Sequence, residues 1–220
     1  MHNIRVIQKH NTRVIQKHNI RVIHKRIKTM ATIAELLASS LDALKQVQRG
    51  EDFMIIKNSD LSRTHIKRLV DNHFLKPIIK GWYVVTDPRA MPGDSTAWFA
   101  SFWNFITRYA NERYGNEWCL SAEQSLSIYT GATTIPNQVL IRAPKGNDYM
   151  VSLIPPTSIF NLEAELPSKI DTNNLYNLNL YTLAEAIIVA TPTMYRNDAL
   201  TMRTALAMVH DSSDILKILV

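Results

Sequence analysis

The sequence predicts an α+β protein in which a small N-terminal domain is followed by a mixed α/β domain. Apolar residues recur at helical spacing in some segments and alternate with polar residues in others, with glycine or proline between them. Hydrophobic residues make up 46% of the 220 residues and charged residues 20%, which suits a chain with a substantial core. We expect a tail over residues 1–29, a first domain over 30–94 and a second over 95–220.

The tail contains an eight-residue unit that begins at His2 and occurs three times, nearly unchanged. Such similarity indicates recent duplication. Residues 1–29 hold eight of the 25 Arg and Lys residues and no acidic residue, which leaves 17 basic and 19 acidic groups, a net charge of −2, in residues 30–220. The overall charge of +6 is therefore no argument for DNA binding by the domains. We expect this tail to be disordered and to represent a translated tandem DNA repeat, with biological translation starting at Met30. The alternative is a basic arm that binds phosphate.

The first domain is predicted to begin with a helix and a short strand. Apolar residues at helical spacing predict the helix, which Thr32 would cap and Gly50 would end. These apolar residues are Ile33, Leu36, Leu37, Leu41, Leu44 and Val47. The apolar run Phe53–Ile56 predicts the strand.

A second helix and a hairpin complete the first domain. Ser62 is expected to cap a helix of about a dozen residues. Its expected buried residues are Ile66, Leu69, Val70 and Phe74. Two β-type runs, Leu75–Ile79 and Trp82–Val85, flank Lys80-Gly81, a pair that suits a tight turn. Helix, strand, helix and hairpin in this order are the layout of a winged helix-turn-helix.

Polar and basic residues occupy the side of the second helix opposite its apolar face. In a winged helix such an element enters the major groove of DNA. The expected groove-facing residues are Arg63, Thr64, Lys67 and Arg68. Thr64 or His65 would meet a base edge and Arg68 would bind guanine, while Lys76 and Lys80 would lie on the hairpin near phosphate. Two other interpretations stay open: a charged face that is only solvated, and a winged helix that docks proteins.

The second domain is predicted to contain a buried aromatic helix that opens at Ser95. Aromatic residues lie almost all round this helix, which favours a core position over a surface that stacks nucleic-acid bases. The predicted strands are 118–120, 138–143, 149–154 and 178–181. Capping-box spacing at Ser121 and at Thr182 predicts two further helices, and Pro192 is expected to break the second. A last amphipathic helix is expected to pass through Leu200, Met202, Ala205, Leu206 and Val209.

The sequence predicts no catalytic, cofactor-binding or metal-binding residues and therefore no enzyme. It contains no glycine-rich phosphate loop, no acidic cluster with metal-ligand spacing and no Ser-His-Asp arrangement. The lone cysteine, Cys119, is flanked by Trp118 and Leu120, so we expect it to be buried and inert. No apolar run reaches the roughly 18 residues of a membrane span, and no secretory signal is present. We expect a cytoplasmic protein with no membrane partner.

Several segments resemble a module of bacterial toxin–antitoxin systems. Ser62–Val70 followed by Gly81–Val84 resembles the N-terminal domain of AbiEi-type antitoxins, and Leu120–Leu126 followed by Gly131 is similar to the start of their second domain. A closer similarity, over residues 31–220, is to the N-terminal half of one group of Fic-family proteins. The segments that carry it are 182–186, 194–196 and 203–209.

This resemblance implies a DNA-binding transcriptional regulator without catalytic activity, with operator DNA and a toxin as partners. The alternative that it implies is a protein-interaction module of a Fic AMP-transferase whose catalytic domain has been lost, since the His-Pro-Phe motif of that domain is absent here. The segment Leu216–Val220 ends in three apolar residues without a cap, so we expect the chain to be the front part of a longer protein.

Overall fold

The computed structural model describes residues 32–48 and 54–219, which form a mixture of helices and strands, and the predicted α+β class is confirmed. The tail predicted over residues 1–29 lies outside the described residues, as do Gly50, Phe53 and Val220. The helices are α1 (32–48), α2 (Arg63–Asp71), α3 (Thr96–Tyr114), α4 (Ala122–Tyr129), α5 (Leu183–Val189), α6 (Pro192–Asn197), α7 (Ala199–Ala207) and α8 (Ser212–Leu219). The strands are β1 (Ile55–Lys57), β2 (Leu75–Ile79), β3 (Trp82–Val85), β4 (Cys119–Leu120), β5 (Gln138–Ala143), β6 (Tyr149–Ser152), β7 (Ser158–Glu163), β8 (Ile170–Thr172) and β9 (Asn179–Tyr181).

Strands β1, β3 and β2 lie side by side in this order as an antiparallel sheet. β2 and β3 match the two predicted hairpin strands residue for residue, and Gly81 occupies their turn with a φ of 85°, which favours glycine. One face of the sheet, together with α1 and α2, encloses an apolar cluster. Its buried members are Leu44, Ile56, Leu61, Ile66, Leu69 and Leu75.

Helices α1 and α2 differ from the prediction at their ends. Thr32, expected to cap the first helix, is itself helical, and Ile33 and Leu36 are exposed, so α1 is buried mainly through its C-terminal half. α2 has nine residues rather than about a dozen. It ends where His73 adopts a φ of 60° and the Phe74 N–H donates to the Leu69 carbonyl at 2.8 Å, a turn that leads directly into β2.

The other face of the same sheet is buried against α3. Trp82 packs edge-on against Phe105 of α3, with ring centres 5.6 Å apart and planes at 87°. Arg108 of α3 donates to the Ile55 carbonyl at 2.5 Å and pairs with Asp60 at 3.2 Å. The apolar core is therefore continuous across residue 94, where the sequence predicts a domain boundary.

The second sheet has the strand order β4-β5-β7-β6, with β5 and β7 parallel and the outer pairs antiparallel. β5 matches its predicted range, and β6 is shorter than predicted. β7 was not predicted, and it lies between the two strands that are consecutive in the prediction. β8, also not predicted, pairs with β9 in a separate two-stranded sheet.

Helix α3 occupies the centre of the core, as its aromatic composition predicts. Trp98, Phe102 and Phe105 are all buried, and they form a chain of edge-on ring contacts. The indole N–H of Trp98 donates to the Thr157 hydroxyl at 3.1 Å, which satisfies its polar atom inside the core. This interior position excludes α3 as a surface for stacking bases.

Helices α4, α5 and α7 surround a second apolar cluster, which includes Cys119. The predicted caps are present: the Ser121 and Thr182 hydroxyls accept hydrogen bonds from the backbone N–H three residues later, at 3.3 and 3.4 Å. Cys119 is buried as predicted, and burial raises the pKa of its thiol to about 12. α5 ends at Val189 with Ala190 as its C-cap, two residues before Pro192, and Pro192 occupies the first turn of α6.

Within the described ranges, no helix combines the length and apolar character needed to cross a lipid bilayer.

Candidate nucleic-acid interface

Local interactions fix the position of α2. The Ser62 hydroxyl accepts a hydrogen bond from the His65 backbone N–H at 3.3 Å, which caps the helix as predicted. Just before it, the Asp60 carboxylate accepts a hydrogen bond from the Lys57 backbone N–H at 2.9 Å and holds the turn that follows β1. Buried Ile66 and Leu69 attach one side of the helix to the sheet. The opposite side is consequently directed towards solvent.

The exposed ridge of α2 consists of Arg63, Thr64, Lys67 and Asp71. Lys67 is 76% exposed, and its ammonium lies 3.8 Å from the Asp71 carboxylate, one helical turn away. An exposed pair of this kind contributes little to stability and is broken at little cost. The ridge therefore offers two basic side chains and a hydroxyl to a partner.

A groove of about 630 Å³ runs beside this ridge. Arg63 and Lys67 lie on one wall, while Asn58, Pro77 and Tyr83 line it from the turn after β1 and from the hairpin. The sequence prediction missed these three residues. The signal for Tyr83 was present, because it alternates with buried Trp82 and Val84 along β3. Nothing in the sequence indicates that Asn58 lies in the same groove.

The structure separates His65 and Arg68 from the ridge. Nδ1 of His65 lies 2.9 Å from the Ser40 hydroxyl of α1, and Nη1 of Arg68 donates to the same hydroxyl at 3.2 Å. Nη1 of Arg68 also approaches the Leu36 carbonyl at 3.4 Å. Both side chains are half-buried and link α2 to α1. Of the predicted groove-facing set, Arg63, Thr64 and Lys67 share the exposed face, and Arg68 lies at its flank.

The two hairpin lysines point to different surroundings. Lys80 is exposed at the turn between β2 and β3, where it also lines a cavity against α3. Lys76 is half-buried on β2 and lines a cavity of about 590 Å³ with the 87–94 loop, including Asp94. Hydrogen bonds from the Thr96 backbone and side chain, with a smaller contribution from the Lys76 charge, lower the pKa of Asp94. Lys76 therefore faces an acidic neighbour as well as solvent.

In the part of the chain that the structure describes, no group of three or more His, Cys, Asp and Glu side chains is placed to hold a metal ion. Compared with known proteins, the chain matches no family model, and a search of curated proteins finds no significant similarity.

Proposed function

We propose that residues 32–85 form a winged helix-turn-helix that binds double-stranded DNA through α2, within a non-catalytic transcriptional regulator of the antitoxin type. One observation carries this proposal: α2 is capped, anchored by Ile66 and Leu69, and presents Arg63, Thr64 and Lys67 together to solvent. A regulator of this kind would act in the bacterial cytoplasm.

The dimensions of α2 suit the major groove. At about 1.5 Å per residue, its nine residues extend about 14 Å. A helix of this length spans the major groove, which is about 12 Å wide. Arg63 and Thr64 are in its first turn, and the N-terminal residues of a recognition helix are the ones that contact base edges. Arg63 is therefore the best candidate for guanine contact, with Lys67 near phosphate or a second base.

The element order also supports the proposal. A helix, a strand, the exposed helix and a hairpin follow one another, and the hairpin pairs with the first strand in the order β1-β3-β2. Because α3 covers the far face of the sheet, the hairpin can reach DNA only through its turn and its edge. Lys80 at the turn would then contact phosphate, whereas α2 would supply most of the sequence-dependent contacts.

The first test measures affinity of the full chain for a mixed-sequence duplex as a function of salt. A plot of log K against log salt concentration has a negative slope, and each lost phosphate contact makes that slope shallower by about 0.9. We expect Lys67→Ala to weaken binding and to reduce the magnitude of this slope by about one, and Arg63→Ala to weaken binding with a smaller change of slope, because its proposed contact is to a base. The basic residues of the tail are the same in every variant, so differences between variants report on α2.

Lys145→Ala is the matched control. Lys145 is 77% exposed and pairs with Glu117 at 3.3 Å, so it resembles Lys67 in exposure and pairing. It lies in the loop between β5 and β6 of the second sheet and belongs to neither the groove beside α2 nor the exposed ridge. Equal effects of Lys67→Ala and Lys145→Ala would mean that general surface charge, and not α2, contacts DNA.

The second test is selection from a library of randomised duplexes. A regulator is expected to enrich a common motif. Arg63→Ala is expected to relax that motif at one position and to weaken binding to the wild-type motif by about 1–3 kcal/mol. Failure to enrich any motif would refute sequence-specific recognition.

A protein-interaction module, which positions or restrains a toxin or a Fic domain, is the second candidate function. The observation that favours it is the set of large apolar side chains exposed on the C-terminal helices. These are Leu200, Leu206, Leu216, Ile218 and Leu219. Exposed apolar residues that cluster on a protein are typical of protein contacts. Under this alternative, changes at Arg63 and Lys67 leave function intact, whereas Leu200→Ser and Leu216→Ser abolish partner binding.

A further inference from the structure

A cavity of about 300 Å³ lies where the turn of the β2–β3 hairpin meets α3 and β6. The hairpin contributes Lys80 and Trp82 to its walls, α3 contributes Tyr109 and Arg113, and β6 contributes Tyr149. The volume is at the lower end of the range for small-molecule sites. Segments that are distant in sequence build this cavity, and it shares no lining residue with the groove beside α2.

Positive charge dominates the lining of this cavity. Neither Arg113 nor Lys80 forms an ion pair with a carboxylate among residues 32–48 and 54–219. Glu112 also lines the cavity, but its carboxylate is paired with the Lys57 ammonium, which comes from outside the lining. The pair with Lys57 offsets the charge of Glu112, and the guanidinium and ammonium of the lining remain to attract an anion.

The guanidinium of Arg113 is held in a defined orientation. Its Nε donates to the Tyr114 hydroxyl at 3.0 Å, and its central carbon lies 5.1 Å from the centre of the Tyr149 ring. This hydrogen bond uses Nε, so it leaves the two terminal nitrogens for a fork-like contact with an oxyanion. A guanidinium fixed in this way loses less conformational entropy when it binds a ligand.

A buried polar network adjoins the guanidinium. The Tyr114 hydroxyl donates to Oδ1 of Asn161 at 2.8 Å, and the Tyr109 hydroxyl lies 3.4 Å from both that oxygen and the Tyr149 hydroxyl. Asn161 is fully buried, and its Nδ2 has no hydrogen-bond partner within the described structure. A buried amide nitrogen without a partner costs stability. Burial and the Tyr149 hydroxyl raise the pKa of Tyr109.

We propose that this cavity binds a small organic anion. Arg113 and Lys80 would hold its phosphate or carboxylate group, and its planar body would pack against Tyr149, beside the small exposed part of Trp82. Charge-assisted hydrogen bonds would supply most of the affinity, and the aromatic walls would favour flat ligands. Such a ligand would bridge the hairpin and α3. The site shares Lys80 with the proposed DNA surface, but Arg113 is not part of that surface, and anion binding does not require α2 to bind DNA.

The test titrates the full chain with phenyl phosphate, benzoate and benzylamine, by calorimetry and by NMR of the indole and guanidinium N–H groups. We expect at least one of the two anions to bind saturably and to shift the Trp82 and Arg113 signals. Benzylamine, a cation, is expected not to bind. A preference for phenyl phosphate would identify a phosphate ligand, and a preference for benzoate a carboxylate ligand. Loss of a charge-assisted contact is expected to weaken binding about tenfold in Arg113→Gln and in Lys80→Ala.

Two variants separate specific binding from general effects. Arg113→Lys keeps the charge but not the planar fork, so it should bind with intermediate affinity. Lys145→Ala removes an exposed surface lysine that does not line the cavity, so this variant should bind like the parent. If Arg113→Gln fails to fold, Lys80→Ala decides, because Lys80 is exposed at a turn.

The proposal is overturned if neither anion binds saturably, or if benzylamine binds as well as the anions. It is equally overturned if Arg113→Gln and Lys80→Ala bind like the parent, which is the result expected when the anions bind only to the basic N-terminal tail.

Discussion

Replacing Trp82 by alanine is expected to destabilise the whole described fold, because this side chain joins the first sheet to α3. Trp82 is 7% exposed, stacks edge-on against Phe105, and lies 5.6 Å from both the Lys57 ammonium and the Arg108 guanidinium. A buried aromatic side chain removes about 200 Å² from water, which corresponds to about 5 kcal/mol at 25 cal/mol per Å². Core substitutions of Trp by Ala cost about 3–5 kcal/mol, and we expect about 4 kcal/mol here.

The assay is urea unfolding followed by far-ultraviolet circular dichroism and by tryptophan fluorescence. In the parent chain the two signals are expected to change together, because the core is continuous across residue 94. Trp82→Phe should retain part of the packing and lose about half as much free energy as Trp82→Ala. Phe99→Ala is the matched control, since Phe99 is an aromatic residue of α3 that is 36% exposed.

Two outcomes would refute this reasoning. Separate transitions in the parent chain would show that the two halves unfold independently. A loss of less than about 1 kcal/mol in Trp82→Ala, or an equal loss in Phe99→Ala, would show that the hairpin is not anchored on α3.

Three further perturbations test the local structure. Gly146→Ala is expected to cost more than Gly131→Ala in urea unfolding, because a Cβ at Gly146 would lie 2.3 Å from the Leu162 carbonyl oxygen, whereas a Cβ at Gly131 would meet no neighbouring atom and would be strained only by the backbone φ of 78°; equal costs would contradict this packing. Ser62→Ala should destabilise the protein by about 1 kcal/mol through loss of the α2 cap, and Ser62→Asp should restore most of it. Partial burial opposes ionisation of Glu123, but hydrogen bonds from backbone N–H groups, including that of Thr191 at 3.2 Å, outweigh it and lower its pKa. The stabilisation from this carboxylate is therefore present above the ordinary Glu pKa and is lost as pH falls through the lowered value. Glu123→Gln should accordingly lower the unfolding midpoint at about pH 7 and converge with the parent as pH falls through the lowered pKa of Glu123, and a difference that is independent of pH would exclude this mechanism.

The elements of the first sheet follow from local chemistry, and the sequence predicts them well. Trp82 and Val84 are buried while Tyr83 is half-buried, the alternation expected of a strand, and Gly81 supplies the conformation that the turn needs. Ser62 caps the next helix by accepting a hydrogen bond from the backbone N–H of His65, only three residues later. Interactions of such short range are encoded within a few residues, so they are accessible without a structure.

Strand β7 escapes prediction because its inward face is partly polar. Ile159 and Asn161 are the residues of this strand that are fully buried, and the asparagine interrupts the apolar alternation that identifies a strand. Its insertion between β5 and β6 is a property of the sheet as a whole. The neighbours of a strand depend on long-range pairing, which a local pattern does not contain.

The predicted DNA-facing residues are divided for a similar reason. Helical spacing places Arg68 near the polar side of α2, but its actual surroundings depend on where α1 docks and on the position of Ser40. The Ser40 hydroxyl also contacts Nδ1 of His65, which keeps this side chain off the exposed ridge. The ion pair between Arg108 and Asp60 likewise joins residues that are far apart in sequence, so no local pattern indicates it.

The central claim is that the exposed ridge of α2 contacts DNA, and site-directed photocrosslinking tests it most directly. A benzophenone side chain would replace Thr64 in one variant of the full chain and Leu175, an equally accessible position in the second half, in another. With a duplex obtained by selection, the account predicts an efficient crosslink from position 64 that excess unlabelled duplex abolishes, and none above background from position 175. A crosslink from position 175 alone, or equal crosslinking from both, would contradict it.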